Sequence, residues 1–189
     1  MPAAAWAARA GTSTLPVERD TIPAPILRAL KEHDKPNVYL LGPESVISKD
    51  VEKALKKVAG SIERIEGDTP IENAIAFARY RKDDFGWGVT IPGYNFTVAS
   101  LDRPLDAAAA AALGTNGVFA PLLLTDGSAT LPKPLEEYLL SVQPGYEDDP
   151  GQAVYNRAWI LGDDAAIGVR QQGLIDEITE LVPVKVEAP

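Results

Sequence analysis

Val38-Tyr39-Leu40-Leu41-Gly42 decides how the rest of the chain is read. It is a short apolar run ended by glycine. A strand apolar on both faces belongs inside a parallel sheet covered by helices. Ser48 follows at an N-cap position, and Val51, Leu55 and Val58 fall at i, i+4 and i+7, one face of a helix. Lys53, Lys56 and Lys57 come late in that helix, where they complement its dipole. The unit is therefore strand, turn, helix.

The same unit recurs. Ala158-Trp159-Ile160-Leu161-Gly162 matches it 120 positions on, and Thr21-Ile22-Pro23 through Leu30 matches Thr130-Leu131-Pro132 through Leu139 at 109. The difference falls within Ser141 to Arg157, where Pro144-Gly145, Glu147-Asp148-Asp149 and Pro150-Gly151 are loop chemistry. Ala3 to Arg9 echoes Ala107 to Leu113. The chain reads as a partial first repeat over 2–67 and a fuller second repeat over 68–189, with a loop insertion near 141–157. The first copy starts in mid-unit, so its missing strand leaves apolar edge positions for a longer chain or a partner to complete.

Further elements fill the pattern. Ser61 to Ile65 alternates like a short strand, and Ile71, Ala74, Ile75 and Ala78 mark a helix after Pro70. Gly88 to Ile91 reads as a strand stopped by Pro92-Gly93, and Phe119 to Thr125 as the most apolar strand. Helices are expected over Leu105–Leu113, Pro132–Leu140 and Leu174–Leu181, and a last strand over Val182–Val186. Alternating β and α units with short connections predict an α/β fold of three layers. Its mostly parallel sheet is built from an internally repeated Rossmann-like or flavodoxin-like unit, the two copies lying side by side in one continuous layer.

Composition narrows the function. The chain has 189 residues, no cysteine and one histidine, His33. Thiol nucleophiles, disulfides and Cys-ligated metals are excluded. With 18 Lys+Arg against 27 Asp+Glu the net charge is −9, so bulk attraction to nucleic acid is disfavoured. No apolar run reaches membrane-spanning length, and the Ala-rich start lacks the basic n-region of a signal peptide. His33 reads as a surface residue at a helix C-terminus, and no Gly-x-Ser-x-Gly elbow offers a serine. No catalytic group, cofactor or metal is expected. Asp83-Asp84, Asp148-Asp149 and Asp163-Asp164 lack calcium-loop spacing and read as solvated acids. The loops Gly42-Pro43-Glu44-Ser45 and Gly162-Asp163-Asp164-Ala165 follow strand ends, where α/β sheets bind ligands. Their own carboxylates oppose an anion there.

Basic residues gather in the middle third: Arg64, Arg79, Arg81, Lys82 and Arg103. Arginine recognises phosphate or carboxylate with paired donors. Arg79, Arg81 and Lys82 equally suit the end of a helix. Tyr80, Phe85, Trp87, Tyr94 and Phe96 flank this region as core or as stacking surfaces, at least one ring being exposed.

The order of segments resembles the type-two cell-wall-binding repeat of bacterial and archaeal surface proteins. Arg64-Ile65-Glu66-Gly67 matches its opening, Ala74 to Ala78 its first helix, Gly93-Tyr94-Asn95-Phe96 its turn, and Ala120-Pro121-Leu122-Leu123-Leu124-Thr125 its central strand. Leu131-Pro132 and Trp159-Ile160-Leu161-Gly162 close the unit. Thr69-Pro70-Ile71 departs from the family's Asp-Arg-Tyr, and Pro43 and Asp163 replace its second glycine. The resemblance implies a non-catalytic cell-surface module that anchors a protein, outside the cell, to an anionic cell-wall polymer. Further repeats would lie in the same chain or in an oligomer. Arg64, Arg79, Arg81, Arg103, Tyr94 and Asn95 are the candidate polymer-binding residues. The other expectations are a structural module of a coat or filament, and a small-molecule-binding or enzyme domain with a perturbed acid near Gly42 or Gly162.

Overall fold

The computed structural model describes residues 1–115, 117–127 and 129–184. Helices α1 (Pro2–Ala10) and α2 (Ala24–Glu32) lead into strand β1 (Asn37–Leu41), helix α3 (Lys49–Leu55), strand β2 (Ser61–Ile65) and helix α4 (Pro70–Arg79). Then come β3 (Asn95–Ser100), a 3₁₀ turn (Asp106–Ala108), α5 (Ala109–Thr115), β4 (Leu122–Thr125) and α6 (Lys133–Ser141). The chain ends with β5 (Gly145–Tyr146), β6 (Arg157–Leu161), α7 (Val169–Thr179) and β7 (Val182–Pro183). The fold is α/β and its ladders are parallel.

Local chemistry accounts for the boundaries. Pro70 sits in the first turn of α4, and Thr69 and Glu72 form a reciprocal capping box, each side chain bonding the other's backbone N–H. At Ser48 the expected N-cap position is correct, but its hydroxyl makes no capping bond. The turns after β1 and β6 are alike. Gly42 and Gly162 hold φ of 143° and 123°, which favours glycine. In one turn Val46 and Ile47 donate their N–H groups to the Pro43 carbonyl; in the other Ala166 and Ile167 donate to the Asp163 carbonyl. Helix α7 begins at Val169, five residues before the apolar pattern announces it.

The expected single layer is divided. β1 and β2 pair as one sheet, β4, β3 and β6 as a second in that order, and β5 with β7 as a third of two residues per strand. Side chains, not a backbone ladder, join the first two. Tyr39 of β1 stacks on Phe85 with ring centres 3.5 Å apart and planes 2° from parallel. Phe85 also meets Trp6, Phe77 and Tyr80. The principal core runs under β3, β4 and β6, while a smaller one of Leu30, Leu40, Val51 and Leu55 is enclosed by α2, α3 and β1.

One strand expectation fails. Gly88 to Ile91 forms no strand: Gly86 and Gly88 turn the chain at positive φ. Val89 is then drawn against α4, its N–H bonding the Ala78 carbonyl and its carbonyl accepting from the buried Tyr138 hydroxyl. The missing strand is β3, the centre of the largest sheet, which starts inside the expected Gly93–Phe96 turn. The last strand starts at Val182, as expected. β7 pairs with β5, the N–H groups of Val182 and Val184 donating to the Pro144 and Tyr146 carbonyls. Pro183, which has no N–H, lies between them, as an edge ladder allows. Val186 lies outside the described residues.

Candidate functional site

The carboxyl ends of the strands are closed by interactions within the fold. Arg64, near the end of β2, keeps 13% of its side-chain surface. It donates to the Gly42 carbonyl at 2.7 Å and to Glu52 of α3 at 3.0 Å. Arg64, then Lys56, hold the Glu52 carboxyl below the usual range. A group held ionised in this way is the opposite of a general acid near Gly42. Glu44 pairs with Lys49, and the Ser45 carbonyl accepts from Arg19. At the second turn, Arg103 reaches Asp106 at 3.5 Å and Asp163 at 3.6 Å, and Asp163 also accepts from the Ala166 N–H.

The six candidate residues do not converge. Tyr94 and Asn95 lie at the amino end of β3, while Arg103 follows its carboxyl end, about 20 Å away along a six-residue strand. Arg79 ends α4, donates to the Ser141 hydroxyl at 3.0 Å, and lies 5.0 Å over the Tyr138 ring. Arg81 is exposed, its aliphatic stem against Gly88. Tyr94 is half-buried and packs against Phe119 at 5.7 Å. Asn95, also half-buried, is the register partner of Arg157. Arg64 and Arg103 are thus committed to holding turns.

None of the five rings from Tyr80 to Phe96 is exposed, contrary to expectation; Trp87 and Phe96 are fully buried. The exposed rings are Trp159 and Tyr155, at 42% and 56%. Sequence reading missed them because Trp159 sits in a run that looks apolar on both faces. The available signal was Arg157, a charge two residues from the indole. His33 and the three Asp pairs are exposed, as read. Among the described residues no three acidic or histidine side chains gather as a metal site, and no helix is long and apolar enough to cross a membrane.

An open groove of about 800 Å³ lies between the halves. Glu44, Glu66, Asp68, Glu72 and Glu137 line it, with Arg79 over a floor that includes Ile75 and Tyr138. Such a rim repels a polyanion at close range.

No protein-family profile and no curated protein matches the sequence. Solved structures do. A segment of Cwp8 from Clostridium difficile superposes on 99% of this chain with a TM-score of 0.66 at 18% identity. A segment of Cwp6 from the same organism covers 95% with a TM-score of 0.71 at 16% identity. This chain spans 29% and 25% of their respective lengths. The likeness establishes a shared α/β fold.

Proposed function

We propose that this chain is a non-catalytic cell-surface module that anchors a protein to an anionic cell-wall polymer. The observation that carries the reading is the superposition of almost the whole chain on a segment of Cwp8, a cell wall protein. Because such neighbours are three to four times longer, the module would act beside further units of its kind. The mechanism is multivalent, with weak polar contacts summed by tethering. A chain of charge −9 can grip a polyanion only through local cations kept clear of its acids. Tethering makes a modest affinity per module sufficient.

The test is co-sedimentation of the purified chain with isolated walls before and after extraction of the anionic polymer. Binding that disappears with the polymer and falls with added salt supports anchoring. Equal recovery on stripped walls refutes it. A second reading, assembly into a coat, is favoured by the open outer edge of β6, which has β3 as its single strand neighbour among the described residues. Concentration-dependent filaments without polymer affinity would select that reading.

A further inference from the structure

The outer strand of the second sheet carries an unused recognition surface. From Val154 to Ile160 exposure alternates after Tyr155: Tyr155, Arg157 and Trp159 are exposed, Asn156 is buried, and Ala158 and Ile160 are half-buried. Period-two alternation sets Arg157 and Trp159 on one face of β6, and Tyr155 is exposed just before the strand begins. The Tyr155 hydroxyl donates to the Pro150 carbonyl at 3.1 Å, which fixes that ring. Asn156 anchors the strand entry, accepting from the N–H groups of Gly93 and Tyr94 and donating to the Val142 carbonyl. Among the described residues the Arg157 side chain has no ion-pair or hydrogen-bond partner.

The first half supplies the comparison. Tyr39 stands 120 positions before Trp159, in the same strand ahead of the same turn, and its ring face is used up by Phe85. At Trp159 the indole remains 42% exposed. The strand position therefore supports flat stacking, and in the second half that capacity is free.

We propose that Tyr155, Arg157 and Trp159 form a binding subsite for an anionic polysaccharide. Sugar rings stack on the tyrosine and the indole, and the guanidinium pairs with a carboxylate or phosphodiester between them. Aromatic side chains offer an apolar face beside a wet edge, which suits a sugar ring. Arginine supplies paired donors to either anion. Charge complementarity favours this occupant over an apolar protein segment. The proposal rests on the anchoring reading and names the site and ligand chemistry it needs.

Trp6 and Trp87 are 7% and 1% exposed, so Trp159 is the indole that a soluble quencher reaches. The full chain is titrated with isolated wall polymer, polygalacturonate, a phosphomannan and neutral dextran, following acrylamide quenching and affinity. The acidic arms separate carboxylate from phosphate recognition. Binding to an anionic glycan should shield Trp159 from acrylamide, and dextran should not. Trp159→Ala should weaken binding roughly tenfold. Arg157→Gln should do likewise and flatten the salt dependence. Both variants should keep the circular dichroism spectrum and melting midpoint of the parent. If the parent binds polymer and both variants bind equally, the subsite is wrong and anchoring stands. If the parent binds none of the anionic polymers, both fall. If quenching protection instead tracks protein concentration and sedimentation shows dimers lost in Trp159→Ala, the surface is a protein contact and the proposal is overturned.

Discussion

Asn37–Leu55 and Arg157–Thr179 share a strand, a turn and the start of a helix, yet they put that backbone to different uses. In the first, Tyr39 is stacked on Phe85; in the second, Trp159 faces solvent. In the first, Arg64 holds the turn through a carbonyl; in the second, Arg103 holds it through Asp163. At one helix position the first segment buries Val51 and the second buries Gln171. A repeated backbone thus fixes where side chains go and leaves open what they do.

The helix pair gives the strongest way to break this comparison. Gln171 accepts from the Thr125 hydroxyl at 3.2 Å and donates to the Asp126 and Thr130 carbonyls. Val51 is enclosed by apolar side chains. Val51→Gln buries an amide among those side chains and should cost about 3 kcal/mol. Gln171→Val strands polar partners and should cost about 2 kcal/mol. Urea denaturation at constant m-value measures both. Equal tolerance of Gln at either site would mean the two environments are the same.

The aromatic pair comes next. Tyr39→Ala removes a half-buried ring and its stack and should lose about 2 kcal/mol. Trp159→Ala should stay within about 0.5 kcal/mol, as an exposed residue outside the core. Similar midpoint shifts in thermal melts would abolish the contrast. A smaller effect is expected at the turns. Gly42→Ala makes ordinary van der Waals contact, its nearest neighbours at 3.6 Å, and costs stability mainly through positive φ. Gly162→Ala also drives its new carbon to 2.9 Å from the Ala166 side chain and 3.0 Å from Asp106. It should cost about 1 kcal/mol more than Gly42→Ala in the same melts.

The smallest and most conditional effect is on pH. The Glu52 carboxyl is held below its ordinary value of 4.5 by Arg64 and Lys56. Its ionised form is favoured by folding, so its stabilisation is complete above that value and is lost as pH falls through the lower folded one. Glu52→Gln should therefore be less stable than the parent at neutral pH, and the gap should close in acid below about 4.5. The matching position holds Gln172, whose amide donates to the Ile167 carbonyl, and Asp176 stands four residues on where the first half has Lys56, so Gln172→Glu should introduce no comparable acid dependence. A gap that widens in acid would refute the assignment.

How much of this was legible depended on where the hydrophobic pattern spoke alone. β1, β4 and β6 declare themselves as apolar runs, and the 120-residue correspondence locates both turns. β3 did not, because Asn95, Thr97 and Ser100 break the apolar signal. The structure satisfies the two hydroxyls internally: Thr97 donates to the Pro121 carbonyl, and Ser100 accepts from the Asp102 N–H. The start of α7 was hidden in the same way by the polar run through Gln171. The division of the sheet had no local signal, since it depends on which rings meet across distant segments. The site was least legible. Counting arginines located charge in the sequence without showing that Arg64 and Arg103 were already engaged, and around Trp159 the one sequence signal was Arg157, the full alternation emerging with burial known.

The small core made by Leu30, Leu40, Val51 and Leu55 carries one more consequence. Four enclosed side chains secure that end of the molecule, against a far larger cluster beneath β3. Local openings draw on the least secured region first. Amide protons of β1 and β2 should therefore exchange with deuterium sooner than those of β3, so the molecule would loosen from one end while the platform bearing Trp159 keeps its shape.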